Sequence, residues 1–268
     1  MKTHFLKAIA LIVLIAGTLT GCDKDDDNEY PTPPQDPQAT VLKASGDSAA
    51  IIGTINQFRS LLGDSLNTTP GKTTGRREVN WDAVPAAFTN KNGFPFDFFN
   101  STIATDPAGR KRGLILTPGT TTFRVDSTDF SEIDASYNAA FNFFSRTRTF
   151  ANTASTVTEV TFKVPGTNTD AFVNGFGLIF SDVDDANSTM LEFYDGSESL
   201  GVFKAPAGKT NGDFSFLGVY FQYNKVTRVK ITSGNKTLAP GVKDVSDGGS
   251  DDVVIMDDFF YNEPNSIQ

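Results

Sequence analysis

Residues 156–166 read TVTEVTFKVPG, and the alternation inside them decides the fold. Val160, Phe162 and Val164 fall on one face of an extended chain, with polar residues between them. That is the period of a strand with one face in a core. Six more segments follow with Gly, Pro, Asn and Asp between them: GFGLIFSDV (175–183), TMLEFYDG (189–196), SLGVFKAP (199–206), FSFLGVYFQY (214–223), TRVKITSG (227–234) and DVVIMDDFFY (252–261). Short strands at nearly regular spacing are the pattern of a sandwich or barrel. Upstream, GLILTPG (113–119), TTFRVD (121–126) and FNFF (141–144) supply further strand candidates. The 24 phenylalanines suit a thick aromatic core between two sheets. Ahead of the strands, GDSAAIIGTINQFRSLLGDS (46–65) carries Ile51, Ile55, Phe58 and Leu62 at helical spacing. Asp47 or Ser45 can cap its start, and Gly63 follows its last apolar residue. The expectation is an all-β, jelly-roll-like β-sandwich over residues 75–264, preceded by one short amphipathic helix over 45–63.

The N-terminus has another character. MKTHFLKAIALIVLIAGTLTG (1–21) has Lys2 and Lys7 around the start of an apolar run too short to span a bilayer, the layout of an export signal. LTGC (19–22) resembles the lipobox of bacterial lipoproteins, which implies that Cys22, the only cysteine, becomes the acylated first mature residue. Several acyl chains give durable membrane attachment. DKDDDNE (23–29) and YPTPPQDPQ (30–38) cannot bury a core, so residues 22–44 read as a disordered acidic and proline-rich tether. Acids directly after the acylated cysteine resemble the export signal of Bacteroidetes-type surface lipoproteins. This implies an outer-membrane lipoprotein on the cell surface; without such a signal the periplasmic leaflet is the default.

Composition removes several chemistries. The chain has 23 Lys and Arg against 32 Asp and Glu. Losing Lys2 and Lys7 with the signal leaves 21 basic against 32 acidic groups, a net charge of −11. No nucleic-acid partner is expected of such a chain. The single histidine, His4, leaves with the signal, and the one thiol carries lipid. Nucleophilic catalysis that needs an imidazole is excluded, as are zinc sites built on His and Cys. Oxygen-ligand metals and carboxylate or lysine chemistry remain.

The segments GRREVNWDAVPAAF, GFGLIFSDVDDANSTMLEFYDG, SFLGVYF, RVKITSGN and VVIMDDFFYNEP together resemble an uncharacterised family of exported bacterial lipoproteins. Its members share R-R-E-[IV]-N-W-D, a central G-F-G…D-V-D and a closing M-D-D-F-x-Y-x-E-P. The resemblance runs from Gly75 to Pro264 and brings no activity with it. Here Ala83 stands where a glycine is common, and FDFFN and DPAGRKRG make a more charged middle loop. More loosely, the IMDDF strand resembles the last strand of galactose-binding-like and carbohydrate-binding jelly rolls, which implies a structural calcium there.

Each candidate site has an ordinary structural alternative. Asp182, Asp184 and Asp185 in SDVDDANS can ligate calcium, which takes six to eight oxygens, or can simply make a polar turn. On a regular strand Asp257 and Asp258 point to opposite faces, so the inward one needs a cation. Calcium shared with Asp82, or one of Arg76, Arg77 and Arg228, would serve. Trp81, the only tryptophan, would stack a sugar if exposed and pack a core if not. Tyr220 and Tyr223 form a second aromatic candidate, set against ordinary cross-strand packing. Arg76 and Arg77 could bind an anionic sugar or form an ion-pair ladder with Glu78. Ser48, Ser65 and Ser127 follow aspartates in D-S-A, D-S-L and D-S-T, which resemble an O-glycosylation motif of Bacteroidetes exported proteins. The leading expectation is a surface-anchored, non-catalytic sandwich that binds glycan or another extracellular component. The alternatives are a carboxylate-dependent glycoside hydrolase or lyase, which needs a carboxyl pair in a cleft, and a structural envelope or adhesion protein.

Overall fold

A computed structural model describes residues 38–118 and 120–267. Cys22, the signal and most of the expected tether lie outside the described residues. The strands, in chain order, begin with β1 (Ala39–Gly46), β2 (Arg76–Val79), β3 (Lys91–Asn92), β4 (Leu114–Thr117) and β5 (Phe123–Asp126). There follow β6 (Thr149–Asn152), β7 (Val157–Lys163), β8 (Asp170–Phe172), β9 (Gly175–Ser181) and β10 (Met190–Asp195). The set closes with β11 (Glu198–Lys204), β12 (Phe214–Phe221), β13 (Arg228–Thr232), β14 (Ile255–Asn262) and β15 (Asn265–Ser266). Among the described residues two α-helices accompany them, α1 (Ser48–Leu62) and α2 (Tyr137–Ala140).

The strands form a β-sandwich of two antiparallel sheets. One is eight-stranded, in the order β1-β12-β9-β14-β6-β5-β3 with β2 added against β14. The other is seven-stranded, β11-β10-β13-β7-β8-β15 with β4 added against β7. The main core lies between them: Phe176, Leu178, Leu217, Val219 and Phe259 from the first sheet meet Leu114, Val160, Phe162, Phe193 and Ile231 from the second.

The outer faces of the two sheets differ, and the sequence shows why their strands read differently. On β7, alternate residues are buried while those between them are partly exposed, the mark of a sheet facing water on one side. β9 is buried at every position, because two further layers cover its sheet. Ile51, Ile55, Phe58 and Leu62 of α1 pack on Ile179, Phe214, Phe216 and Phe260. Phe130, Tyr137 and Phe141 pack with Ala151, Val253 and Ile255. α1 is capped by the Asp47 side chain, which accepts from the Ala50 N–H at 2.8 Å. Its Phe58 ring sits over Gly177 and Gly218, which face each other across β9 and β12. A Cβ on either would come within 2.8 Å of that ring.

One boundary is corrected. Residues 39–44, expected in the tether, belong to β1, which pairs with β12 along its whole length from Ala39–Phe221 to Gly46–Phe214. The strand was missed because it follows a proline-rich spacer and is only half-buried at one edge of the sheet.

Candidate functional site

Three places in the sandwich gather chemistry. The first is an acidic end. Asp182 directly follows β9 at φ 66°, a left-handed conformation that aspartate tolerates. Its Oδ1 accepts from the Gly212 N–H at 2.9 Å and its Oδ2 from the Ser246 hydroxyl at 3.1 Å. Asp244, from the loop before β14, accepts from the Ser246 N–H and hydroxyl and from the Val253 N–H. With Asp184 these make the one acidic triad, among the described residues, in which one oxygen from each carboxylate lies within 4.8 Å of the other two. Asp252 lies beside them and accepts from the Asp184 and Asp185 N–H groups.

No lysine or arginine pairs with any of these four carboxylates among the described residues. Burial, with Asp244 and Asp184 nearby, pushes Asp182 up to about 8. Burial and the Asp244 carboxylate push Asp184 up to about 6. Asp184 Oδ2 is shut from solvent and accepts no hydrogen bond. Oxygens this close need something positive between them, a proton or a cation. Beside the triad opens a polar cavity of about 360 Å³ lined by Asp184, Asp185, Asn235, Ser250 and Asp252. Three carboxylates and the Ser246 hydroxyl suit a hard cation such as calcium. Asp182 and Asp184 were expected here. Asp244 and Asp252 were not, although the run of acids and glycines in KDVSDGGSDD (243–252) was a signal.

The second place is the MDDF segment, where an expectation is overturned. The register of β14 against β9 shifts between Met256 and Phe259. Both of those residues enter the core, so Asp257 and Asp258 form a bulge instead of dividing between two faces. Both are buried, at 0% and 4% exposure. Asp257 Oδ2 accepts from the Phe144 N–H at 2.8 Å, and the Ser145 hydroxyl lies 2.6 Å from Asp258 Oδ1 and 3.3 Å from Asp257 Oδ1. Neither acid has an ion-pair partner among the described residues. Burial raises both, and for Asp257 the neighbouring Asp258 carboxyl adds to the rise. A proton held between the two carboxyls would relieve their repulsion and leave one negative charge on the pair.

Asp82 does not join them as a metal triad. Its carboxylate accepts from the Arg148 N–H at 3.2 Å. The arginines expected as partners are engaged elsewhere. Arg77 is fully buried and makes two 2.7 Å bonds to Glu263. Arg76 bonds Glu78, which also pairs with Arg59 of α1, and Arg228 pairs with Glu159. Arg76 and Arg77 are therefore corrected from anion-binding candidates to structural ion pairs, the ladder alternative.

The third place surrounds Trp81, whose sugar-stacking role is corrected. It is 1% exposed, stacked on Phe150 at 4.3 Å, and edge-on to Phe94, Phe99 and Phe259. Its indole N–H donates to the Asp257 carbonyl at 3.1 Å. The residue is held at φ 63°, which costs a non-glycine residue about 1–2 kcal/mol. A mostly apolar cavity of about 210 Å³ lies against it. The second aromatic pair does not form either. Tyr220 packs with the residues under α1, while Tyr223 is 69% exposed beyond the end of β12.

No protein family, no curated protein and no solved structure matches the chain. No helix among the described residues is long and apolar enough to cross a membrane.

Proposed function

We propose that the chain is an outer-membrane lipoprotein, displayed on the cell surface through acylated Cys22, whose sandwich binds glycan without catalysis and with the help of calcium. The observation that carries this reading is the position of Asp184, which belongs both to the acidic triad and to the wall of the open polar cavity. A calcium held by Asp182, Asp184 and Asp244 takes six to eight oxygens, more than three side chains supply singly. Vicinal hydroxyls of a sugar entering the cavity would complete its shell, with Asn235 and Ser250 as hydrogen-bonding partners. The buried Trp81 removes stacking from this mode, so recognition rests on hydroxyl geometry.

The test is a glycan array probed with the mature chain carrying Cys22→Ala, with calcium and with a calcium chelator. Calcium-dependent glycan capture that Asp184→Asn abolishes is the expected result. Calcium at a hundredfold excess over its dissociation constant should add about 2.7 kcal/mol of stability, or roughly 5–10 °C in a domain of this size. Release of reducing ends from the array would replace binding by the carboxylate-dependent hydrolase. Neither capture nor a calcium-dependent melting shift would leave the structural envelope role.

A further inference from the structure

The cavity against Trp81 shares no residue with the acidic end, and its chemistry is different. Its walls are Val79, Trp81, Pro85, Phe98, Phe99 and Pro107, and its volume is about 210 Å³. An apolar cavity of about 150 Å³ already takes a benzene ring. Two guanidinium groups stand among its lining residues, and they differ in charge balance. Arg110 lies over the Phe98 ring at 4.5 Å and is neutralised by Asp106 at 2.9 Å. Arg112 has no carboxylate partner among the described residues; it is held by the carbonyls of Gly109 and Glu78. The cavity thus offers an aromatic wall and one unneutralised cation. The left-handed backbone of Trp81 adds an independent observation, since strain of this kind is retained where a site over-determines the geometry.

We infer that this cavity is a binding site for a small amphipathic carboxylate, one aromatic ring or a short acyl chain carrying a single acid group. The apolar body fills the space between Trp81, Phe98 and Phe99, and the carboxylate pairs with Arg112. A planar guanidinium whose remaining N–H groups face a carboxylate makes the stronger class of hydrogen bond. A bare sugar fits poorly, because its hydroxyls would find few partners on such walls. The site is independent of the calcium reading and stands or falls without it.

Trp81 is the only tryptophan in the chain, so its fluorescence reports on this cavity alone. The experiment titrates the mature chain carrying Cys22→Ala with phenylacetate and, separately, with phenethylamine, which has a similar body and the opposite charge. Phenylacetate should give a saturable change that phenethylamine does not. Arg112→Met should weaken phenylacetate about tenfold or more, while Arg110→Met should change it little. Because Arg112 also holds the Glu78 carbonyl, a second variant, Ala83→Phe, keeps the cation and fills the cavity from its exposed rim. It should abolish the response. No saturable response to phenylacetate, equal responses to acid and amine, or an undiminished response in Ala83→Phe would each overturn the inference.

Discussion

Replacing Asp257 by Asn should flatten the pH dependence of stability and make the domain more stable above neutrality. In the folded chain the Asp257 and Asp258 carboxyls meet at the Ser145 hydroxyl, are shut from water and have no ion-pair partner, with Glu78 adding negative potential and Arg59 offsetting part of it. Desolvation pushes Asp258 from 3.8 to about 6 and Asp257 upward as well. Both pKa values are raised on folding, so the folded state binds more protons than the unfolded chain. Their stabilising contribution is fully present below about pH 4 and is lost as pH rises through the folded values. For Asp258 alone, the rise from 3.8 to about 6 corresponds to about 3 kcal/mol, or roughly 6–12 °C for a domain of this length. Asparagine at 257 keeps an oxygen for the Phe144 N–H and presents an amide N–H to Asp258 in place of the shared proton. Thermal melts by circular dichroism, at fixed saturating calcium from about pH 4 to about pH 8, should show wild type falling and Asp257→Asn falling much less. Asp82, Asp129, Asp182, Asp184 and Asp252 are also raised. The difference between the two profiles therefore isolates the dyad. Parallel profiles, or an Asn variant that melts lower at every pH, would refute a shared proton and restore a bound cation.

The remaining predictions concern the buried ion pair and the anchor. Glu263→Ala strands Arg77 in the interior and should cost about 3–5 kcal/mol, read as a lowered denaturant midpoint. The double variant Arg77→Met/Glu263→Leu should recover much of that loss, and a double variant as unstable as the single would show that packing, not charge, holds the site. Cys22→Ala should abolish incorporation of radiolabelled palmitate and leave the chain unanchored; labelling at the wild-type level would remove the lipoprotein reading.

What could be read from the sequence follows from which faces meet water. β7 alternates because its outer face is solvated, and from it the sandwich was visible. β9 and β12 are covered on both sides, so their near-continuous apolar runs declare burial but not which side chain faces which layer. Period two did separate Leu217, Val219 and Phe221, which enter the main core, from Phe214, Phe216 and Tyr220, which meet α1. It also separates the neighbouring Arg76 and Arg77. Arg76 and Glu78 turn toward Arg59 of α1, while Arg77 turns with Val79 to the other side and finds Glu263. Two identical residues thus have different fates for a reason visible only once the partners are placed. The bulge at Asp257 and Asp258 was hidden for a similar cause. An extra residue shows only against the neighbouring strand, and until it is seen the alternation assigns one aspartate to each face.

The acidic end was half legible for a reason that lies in one register. Asp182 and Asp184 stand close together in sequence, but Asp244 and Asp252 lie more than fifty residues downstream. They meet because β9 and β14 run antiparallel with Ser181 opposite Ile255. The residues that leave β9 after Ser181 and those that enter β14 before Ile255 must then emerge at the same end of the sheet. β12 pairs with β9 so that Phe214 also faces Ser181, which brings Gly212 to that end as the donor to Asp182. Three segments distant in the chain are thereby delivered to one point by strand pairing alone, and the acids they carry are what makes the point costly. A cation bound there would do more than neutralise charge. It would join the exits of β9 and β13 to the entry of β14, holding in place the loop that contributes Asn235 and Ser250 to the open cavity. Metal binding and ligand binding would thus be coupled through the same loop, each lowering the cost of ordering it for the other.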